Sequence, residues 1–287
     1  MTKIHKGKKG GLSMKKALTV MLLVFVFSLT FACAEGVITE ERILQVGDPH
    51  FYGHIYLPEG EGPFPTIIMS HGLGSSESMW ATTATELASR GYACCAFDFR
   101  GGNVNKKSSG KSTQMSVLTE MDDLRMIIAA MREEPFCDPD RFFLMGSSFG
   151  GLVTALTAPE YNEQVTAVSL WCPALMLPAG AREKYASADE ITGRLMHDGM
   201  PLGKMFYADL LDLYMENIVG GYTGPVLFVH GDQDKTVPLQ TSVEAVELYQ
   251  NACLEILPGE DHSFTQEGKL TAADMVDKFF TEAANNK

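Results

Sequence analysis

The sequence predicts an α/β fold: a mostly parallel central sheet flanked by helices. Three observations carry that expectation. Compact apolar runs recur at 66–69, 92–99, 142–145, 165–171, 225–229 and 254–257, without the polar alternation of strands that face water on one side. Stretches with helical apolar spacing lie between them, at 75–90, 117–132 and 239–250, and a last one follows at 271–284. One run, Phe142-Phe143-Leu144-Met145, leads straight into Gly146-Ser147-Ser148-Phe149-Gly150-Gly151 and then Leu152-Val153-Thr154-Ala155-Leu156, which Pro159 soon stops. Strand, sharp turn and helix are the setting in which Gly-x-Ser-x-Gly has a mechanical meaning.

The elements follow in order. Residues 38–46 and 51–57 read as two strands joined by Gly47-Asp48-Pro49, an antiparallel hairpin at the sheet edge. The loop at 58–65 is rich in Gly and Pro, and the buried strand 66–69 opens onto His71-Gly72-Leu73-Gly74. Strand 92–99 ends in Asp98-Phe99-Arg100-Gly101-Gly102, where Asp98 and Arg100 are expected to form an ion pair that fixes the loop. On helix 117–132 the spacing puts Leu118, Met121, Leu124, Ile127, Ile128 and Met131 on one face. A turn at 135–140 precedes the Ser148 strand, and strand 165–171 follows it.

Residues 173–221 differ in character. They hold no long apolar run, and their amphipathic pieces at 189–197 and 205–219 are short. Between two sheet strands such a stretch reads as a lid inserted over the site. Trp171, Met176, Met196, Met200, Met205, Phe206, Tyr207 and Tyr214 supply its pocket candidates, with two or three expected to face substrate.

Composition narrows the function. The chain has 287 residues with 45% hydrophobic content, enough for one α/β domain with an insert, at 35–287. Net charge is −13, and −19 without residues 1–34, which carry six lysines and no acid. An acidic body excludes a protein built to grip phosphate backbones, so no nucleic-acid partner is expected. Residues 1–34 read as an extension and a cleaved export signal: Lys15-Lys16, an apolar run at 17–32, then Ala32-Cys33-Ala34 with Glu35 as the first mature residue. The run is shorter than the ~20 residues a membrane span needs. Lipid attachment at Cys33 is the competing processing route, disfavoured because Thr30 stands where a leucine is usual. The start is either Met1 or Met14. Five cysteines follow the signal; none forms Cys-x-x-Cys and none clusters with histidine, so no metal or cofactor is expected, and buried apolar thiols are.

Ser148 is the central serine of its motif. A serine hydroxyl needs a base to take its proton, a histidine titrates in the right range, and a carboxylate holds the histidine's tautomer. Downstream, strand 225–229 ends in His230-Gly231-Asp232-Gln233-Asp234, which offers two acids, and strand 254–257 leads to Gly259-Glu260-Asp261-His262. Serine, acid and histidine thus each follow a strand, and on a parallel sheet they share one edge. His262 is the expected base; His230 and His71 are expected to be structural. Backbone N–H groups of Leu73 and Phe149 are the candidate oxyanion donors.

With His71-Gly72-Leu73-Gly74, Asp98-Phe99-Arg100-Gly101, the Ser148 motif, His230-Gly231 through Val237-Pro238 and Gly259 through Phe264, the chain resembles the serine α/β-hydrolase superfamily, and within it the feruloyl and cinnamoyl esterase-like carboxylesterases. The resemblance implies the α/β-hydrolase fold, a lid of about fifty residues before the acid's strand, and hydrolysis of a small ester through an acyl-enzyme. It places the acid on Asp234 and the oxyanion donors on Leu73 and Phe149. A serine peptidase of the prolyl-oligopeptidase or aminopeptidase type is the alternative, with Glu183, Asp189 and Glu190 as candidate amine-binding acids; an inactive surface-binding scaffold is another. The sequence leaves the oligomeric state open.

Overall fold

The computed structural model describes residues 29–32, 36–46, 48–102, 107–219 and 221–286. The expected signal and Cys33 lie outside them, apart from the backbone of 29–32. In chain order the elements are β1 (Leu29–Ala32), β2 (Val37–Gln45), β3 (His50–Pro58), β4 (Phe64–Ser70), α1 (Ala81–Ser89), β5 (Ala93–Phe97), α2 (Val117–Arg132), β6 (Cys137–Ser147), α3 (Phe149–Thr157), β7 (Ala167–Trp171) and α4 (Leu177–Lys184). After them come β8 (Leu195–His197), β9 (Met200–Leu202), α5 (Lys204–Ala208), α6 (Met215–Val219), β10 (Val226–Gly231), α7 (Leu239–Val246), β11 (Ala252–Leu257) and α8 (Gln266–Asn285).

The main sheet runs β1-β2-β3-β5-β4-β6-β7-β10-β11. Strands β1, β2 and β3 pair antiparallel as the expected edge hairpin with one strand outside it, and every pairing from β5 to β11 is parallel. From β4 the chain steps to β5 on one side and then returns to β6 on the other. The ends of β4 and β6 therefore flank the point where strand order reverses, and loops diverge there to leave a crevice.

The sheet separates two cores. One holds α2, α3 and α7 with much of the inserted segment; the other holds α1 and α8. Helix α2 begins at a Ser116–Thr119 capping box and buries Val117, Met121, Leu124, Ile127, Ile128 and Met131. Leu118, expected on that face, is exposed, because Val117 starts the stripe that continues through Met121 and Leu124. The expected turn at 135–140 holds at 135–136 only, and β6 opens at Cys137: Phe64 N–H bonds to Phe136 O, and the register with β4 jumps between Pro65 and Thr66, leaving an irregularity within the strand. The final helix starts earlier than its apolar spacing indicated, since Thr265 caps it through Gly268 N–H. Among the described residues no helix is long and apolar enough to cross a membrane.

The segment from 173 to 221 folds as α4, a small β8–β9 hairpin, α5 and α6. The expected amphipathic piece at 189–197 is not one element. A 3-10 turn at Ala188–Glu190 is followed by the hairpin, which reverses at Asp198-Gly199 with positive φ at both residues.

Candidate active site

The nucleophile turn is built by close backbone approach. Ser148 sits between β6 and α3 at φ 54°, ψ −120°, a strained conformation for a residue with a side chain. A Cβ on Gly146 would lie 2.4 Å from Gly150 O, and one on Gly150 would lie 2.3 Å from His71 O. The two glycines let the helix start, the strand end and the β4 loop meet. Gly150→Ala is therefore expected to cost about 3 kcal/mol of stability and to impair activity, because His71 O and Ser70 O must retreat. Gly180→Ala, in α4 with open space around it, is the matched control with an expected change under ~1 kcal/mol. Denaturant titration of both variants checks the difference.

The three residues brought from separate strands meet as expected. His262 Nε2 lies 3.0 Å from Ser148 Oγ, and His262 Nδ1 lies 2.6 Å from Asp234 Oδ2. Asp234 Oδ1 accepts from the backbone N–H groups of Thr236 at 2.8 Å and Val237 at 2.9 Å. Burial opposes ionisation of Asp234, but the His262 hydrogen bond and those two N–H groups outweigh it and hold the carboxyl below its ordinary range. Asp232, the other acid of the loop, is turned away: its Oδ1 accepts from Gly259 N–H at 2.7 Å. The His262 loop is held by Glu260, whose carboxylate accepts from Thr265 N–H and Oγ, and whose carbonyl accepts from Gln233 N–H. Gly231 permits this, since a Cβ there would meet Glu260 O at 2.2 Å. Glu260 had no signal in sequence beyond lying near His262.

His71 and His230 are structural, each locked as one neutral tautomer. Phe99 N–H donates to His71 Nε2 at 3.1 Å, so Nδ1 carries the proton and donates to Gly72 O at 2.7 Å. Burial pushes His71 down to about 4. The ring therefore holds the Gly72-Leu73 loop against Ser148; a Cβ on Gly72 would lie 3.1 Å from Ser148 Cβ. His230 Nε2 donates to Val237 O at 3.0 Å and its Nδ1 accepts from Ser242 Oγ at 2.8 Å, which braces the Asp234 loop.

The expected Asp98–Arg100 pair does not form. Arg100 binds Asp123 of α2 through both its side chain and its N–H, while Asp98 accepts from Glu77 N–H at 2.7 Å. Both residues lie past the end of β5, and each finds its partner on a different element, Arg100 on α2 and Asp98 on the turn at Glu77. Burial pushes the Asp98 carboxyl up.

A cavity of about 740 Å³ opens over Ser148 and His262. Leu73 and Phe149, the candidate oxyanion donors, both line it. Of the eight aromatic and methionine candidates, Met176, Phe206 and Tyr207 face it. Trp171 instead packs against Phe264 and Trp80 in the core, and Met200 is buried. Sequence reasoning missed Met79, His197, Leu202 and Lys269, which also line the cavity. The Asp198-Gly199 turn was the available signal for the hairpin that carries His197 and Leu202.

A parallel sheet with a serine turn, histidine loop and acid loop at one edge defines an α/β-hydrolase. The family model for serine aminopeptidase, S33, matches residues 62–205, half of the chain, and the chain belongs to that family of serine α/β-hydrolases. It is 34% identical over 122 residues to the quorum-quenching protein AidA of Acinetobacter baumannii, covering 42% of this chain and 39% of AidA. It is 29% identical over 153 residues to the esterase FrsA of an Enterobacter species, covering 51% of this chain and 36% of FrsA. The matched region thus spans less than half the length of both relatives. The fold is similar to that of Est1E from Butyrivibrio proteoclasticus, solved with ferulic acid bound: TM-score 0.77 at 24% identity, over 84% of this chain and 98% of that one.

Proposed function

We propose that this protein is a serine esterase that cleaves small carboxylic esters through an acyl-enzyme, with hydroxycinnamoyl esters as the favoured class. The observation that carries the reading is the continuous relay from Ser148 through His262 to Asp234, at 3.0 Å and 2.6 Å, beneath one open cavity. Ser148 Oγ attacks the ester carbonyl as its proton passes to His262 Nε2. The backbone N–H groups of Leu73 and Phe149 receive the developing oxyanion. His262 then returns the proton to the leaving alcohol, and water repeats the sequence on the acyl-enzyme. Asp234 keeps the proton of neutral His262 on Nδ1 and stabilises the imidazolium.

The ester reading is favoured over the aminopeptidase reading by what lines the cavity. A free α-amine needs a buried acid near the serine. Glu183, Asp189 and Glu190 are all exposed and none lines the cavity; Asp189 pairs with Lys204 and Glu190 accepts from Ala186 N–H. The acids that do line it are Asp198, fully exposed on the hairpin tip, and Asp261, which accepts from Ser263 N–H. Met79, Met176, Leu202, Phe206 and Tyr207 present an apolar wall suited to a flat acyl group. In this reading the segment at 173–221 is a lid, and the chain is exported after cleavage before Glu35. Mass determination of the mature N-terminus tests the export: Glu35 is expected, and a modified Cys33 would replace release with lipid attachment.

The substrate class is tested on purified 35–287 with p-nitrophenyl acetate, p-nitrophenyl butyrate, methyl ferulate and an aminoacyl anilide. Methyl ferulate is expected to give kcat/KM at least ~10-fold above the anilide. Turnover of the short esters alone would remove the hydroxycinnamoyl class, and preference for the anilide would make the protein a peptidase.

A further inference from the structure

The turn after β7 touches both ends of the triad. Ser148 N–H donates to Trp171 O at 2.9 Å, and Ala174 N–H donates to Ser148 O at 2.9 Å. One short segment thus grips the nucleophile's main chain from both sides. It can do so because Cys172 between them adopts φ 42°, a left-handed conformation that residues with side chains rarely take. Strain of this kind persists only where the surroundings impose it. Cys172 is also anchored through its N–H to Val229 O at 2.9 Å, at the base of the acid loop.

The Cys172 side chain is buried and points at the acid. Its sulfur, a His230 ring nitrogen and an Asp234 carboxylate oxygen all lie within 4.8 Å of one another. Within this cluster the Asp234 carboxylate is the acceptor that the thiol faces. Three neighbours in such an array also satisfy the spacing of a metal site. Their protonation runs the other way: burial and the Asp234 charge push the thiol up so that it keeps its proton, and His230 Nε2 is committed as a donor to Val237 O.

We propose that Cys172 is a positioning residue of the triad: its left-handed turn holds Ser148, and its thiol is a fourth-side donor that sets how strongly Asp234 holds His262. The inference rests on the serine-hydrolase reading above. The groups that face Asp234 are His262 from the loop after β11, His230 on β10 and Cys172 after β7, with Asp261 bearing on Cys172. Each donor to Asp234 draws charge from the oxygen that faces His262. Removing the thiol returns that charge and favours the imidazolium. Replacing it by a hydroxyl, a stronger donor, withdraws more.

The test is the pH profile of kcat/KM for a p-nitrophenyl ester in Cys172→Ala, Cys172→Ser and Cys172→Gly, with Ser148→Ala alongside. Cys172→Ala is expected to move the acidic limb up by about 0.5 pH unit, and Cys172→Ser to leave it at or below the wild-type position. Cys172→Gly accepts the positive φ without strain and lacks the thiol, so it should share the limb of Cys172→Ala. Limbs that coincide with wild type in all three variants, with only a drop in kcat, would overturn the role of the thiol. If Ser148→Ala keeps its activity, the serine-hydrolase reading falls and this inference falls with it; if Ser148→Ala is inactive and the limbs stay in place, this inference alone fails.

Discussion

Ser148→Ala is expected to lower kcat by about 100,000-fold with little change in KM. The removed atom is the one that attacks, and nothing adjacent replaces it. Ser147, the neighbouring hydroxyl, belongs to β6 and is not the residue within 3.0 Å of His262 Nε2. The fold should survive, since the Ser148 main chain makes the structural bonds: its N–H to Trp171 O and its carbonyl from Ala174, Gly151 and Leu152 N–H. Alanine keeps the Cβ that the strained turn already accommodates. An organophosphonate probe separates chemistry from folding. Wild-type protein should gain one covalent adduct, located by peptide mass at Ser148, and the variant none. Activity that persists unchanged in the variant would remove Ser148 from the mechanism.

Asp234→Asn is expected to cost about 10,000-fold in kcat while leaving the protein folded. The Asn side-chain oxygen still accepts from Thr236 and Val237 N–H, so the loop keeps its form. Its amide, however, donates to His262 Nδ1, where the carboxylate accepts. That bond forces the imidazole proton onto Nε2, the atom that must take the serine proton. Raising the pH does not restore the tautomer, so the loss should persist across the neutral range. Asp232→Asn is the companion: its carboxylate meets only Gly259 N–H and its neighbour Gln233, and a change under ~2-fold is expected. A large loss in Asp232→Asn with full activity in Asp234→Asn would reverse the assignment. The pair of variants therefore decides between the two acids that the loop offers.

Much of this site was legible in the chain because its parts are local signals. The strand before Ser148 and the glycines around it report a turn that only small residues permit. His262 follows the last strand, and the acid follows the strand before it, so parallel topology alone brings them to one edge. Cys172 was legible as a buried thiol at a strand end, but its left-handed backbone and its approach to Asp234 were not, since both depend on β7 and β10 lying side by side. The same limit explains Asp98 and Arg100. Two opposite charges two residues apart would share a face on a strand and so suggest a pair, but both lie past the end of β5, where the chain turns and Asp123 and Glu77 lie within reach instead.

By itself the sequence determined the fold class, the order along the chain of the main-sheet strands from β2 to β11, and the serine, acid-loop and histidine candidates. Periodicity, turn chemistry and residue order carry that information, and all are local. The resemblance already places the acid on Asp234; only the tertiary structure supplied its contact with His262 and turned Asp232 to Gly259, and only it decided that Met176, Phe206 and Tyr207 rather than Trp171 or Met200 line the cavity and that Lys269 and His197 join them. Those outcomes depend on side-chain direction between segments far apart in the chain. That direction is set by how the two cores pack against the sheet, which no single stretch of sequence encodes.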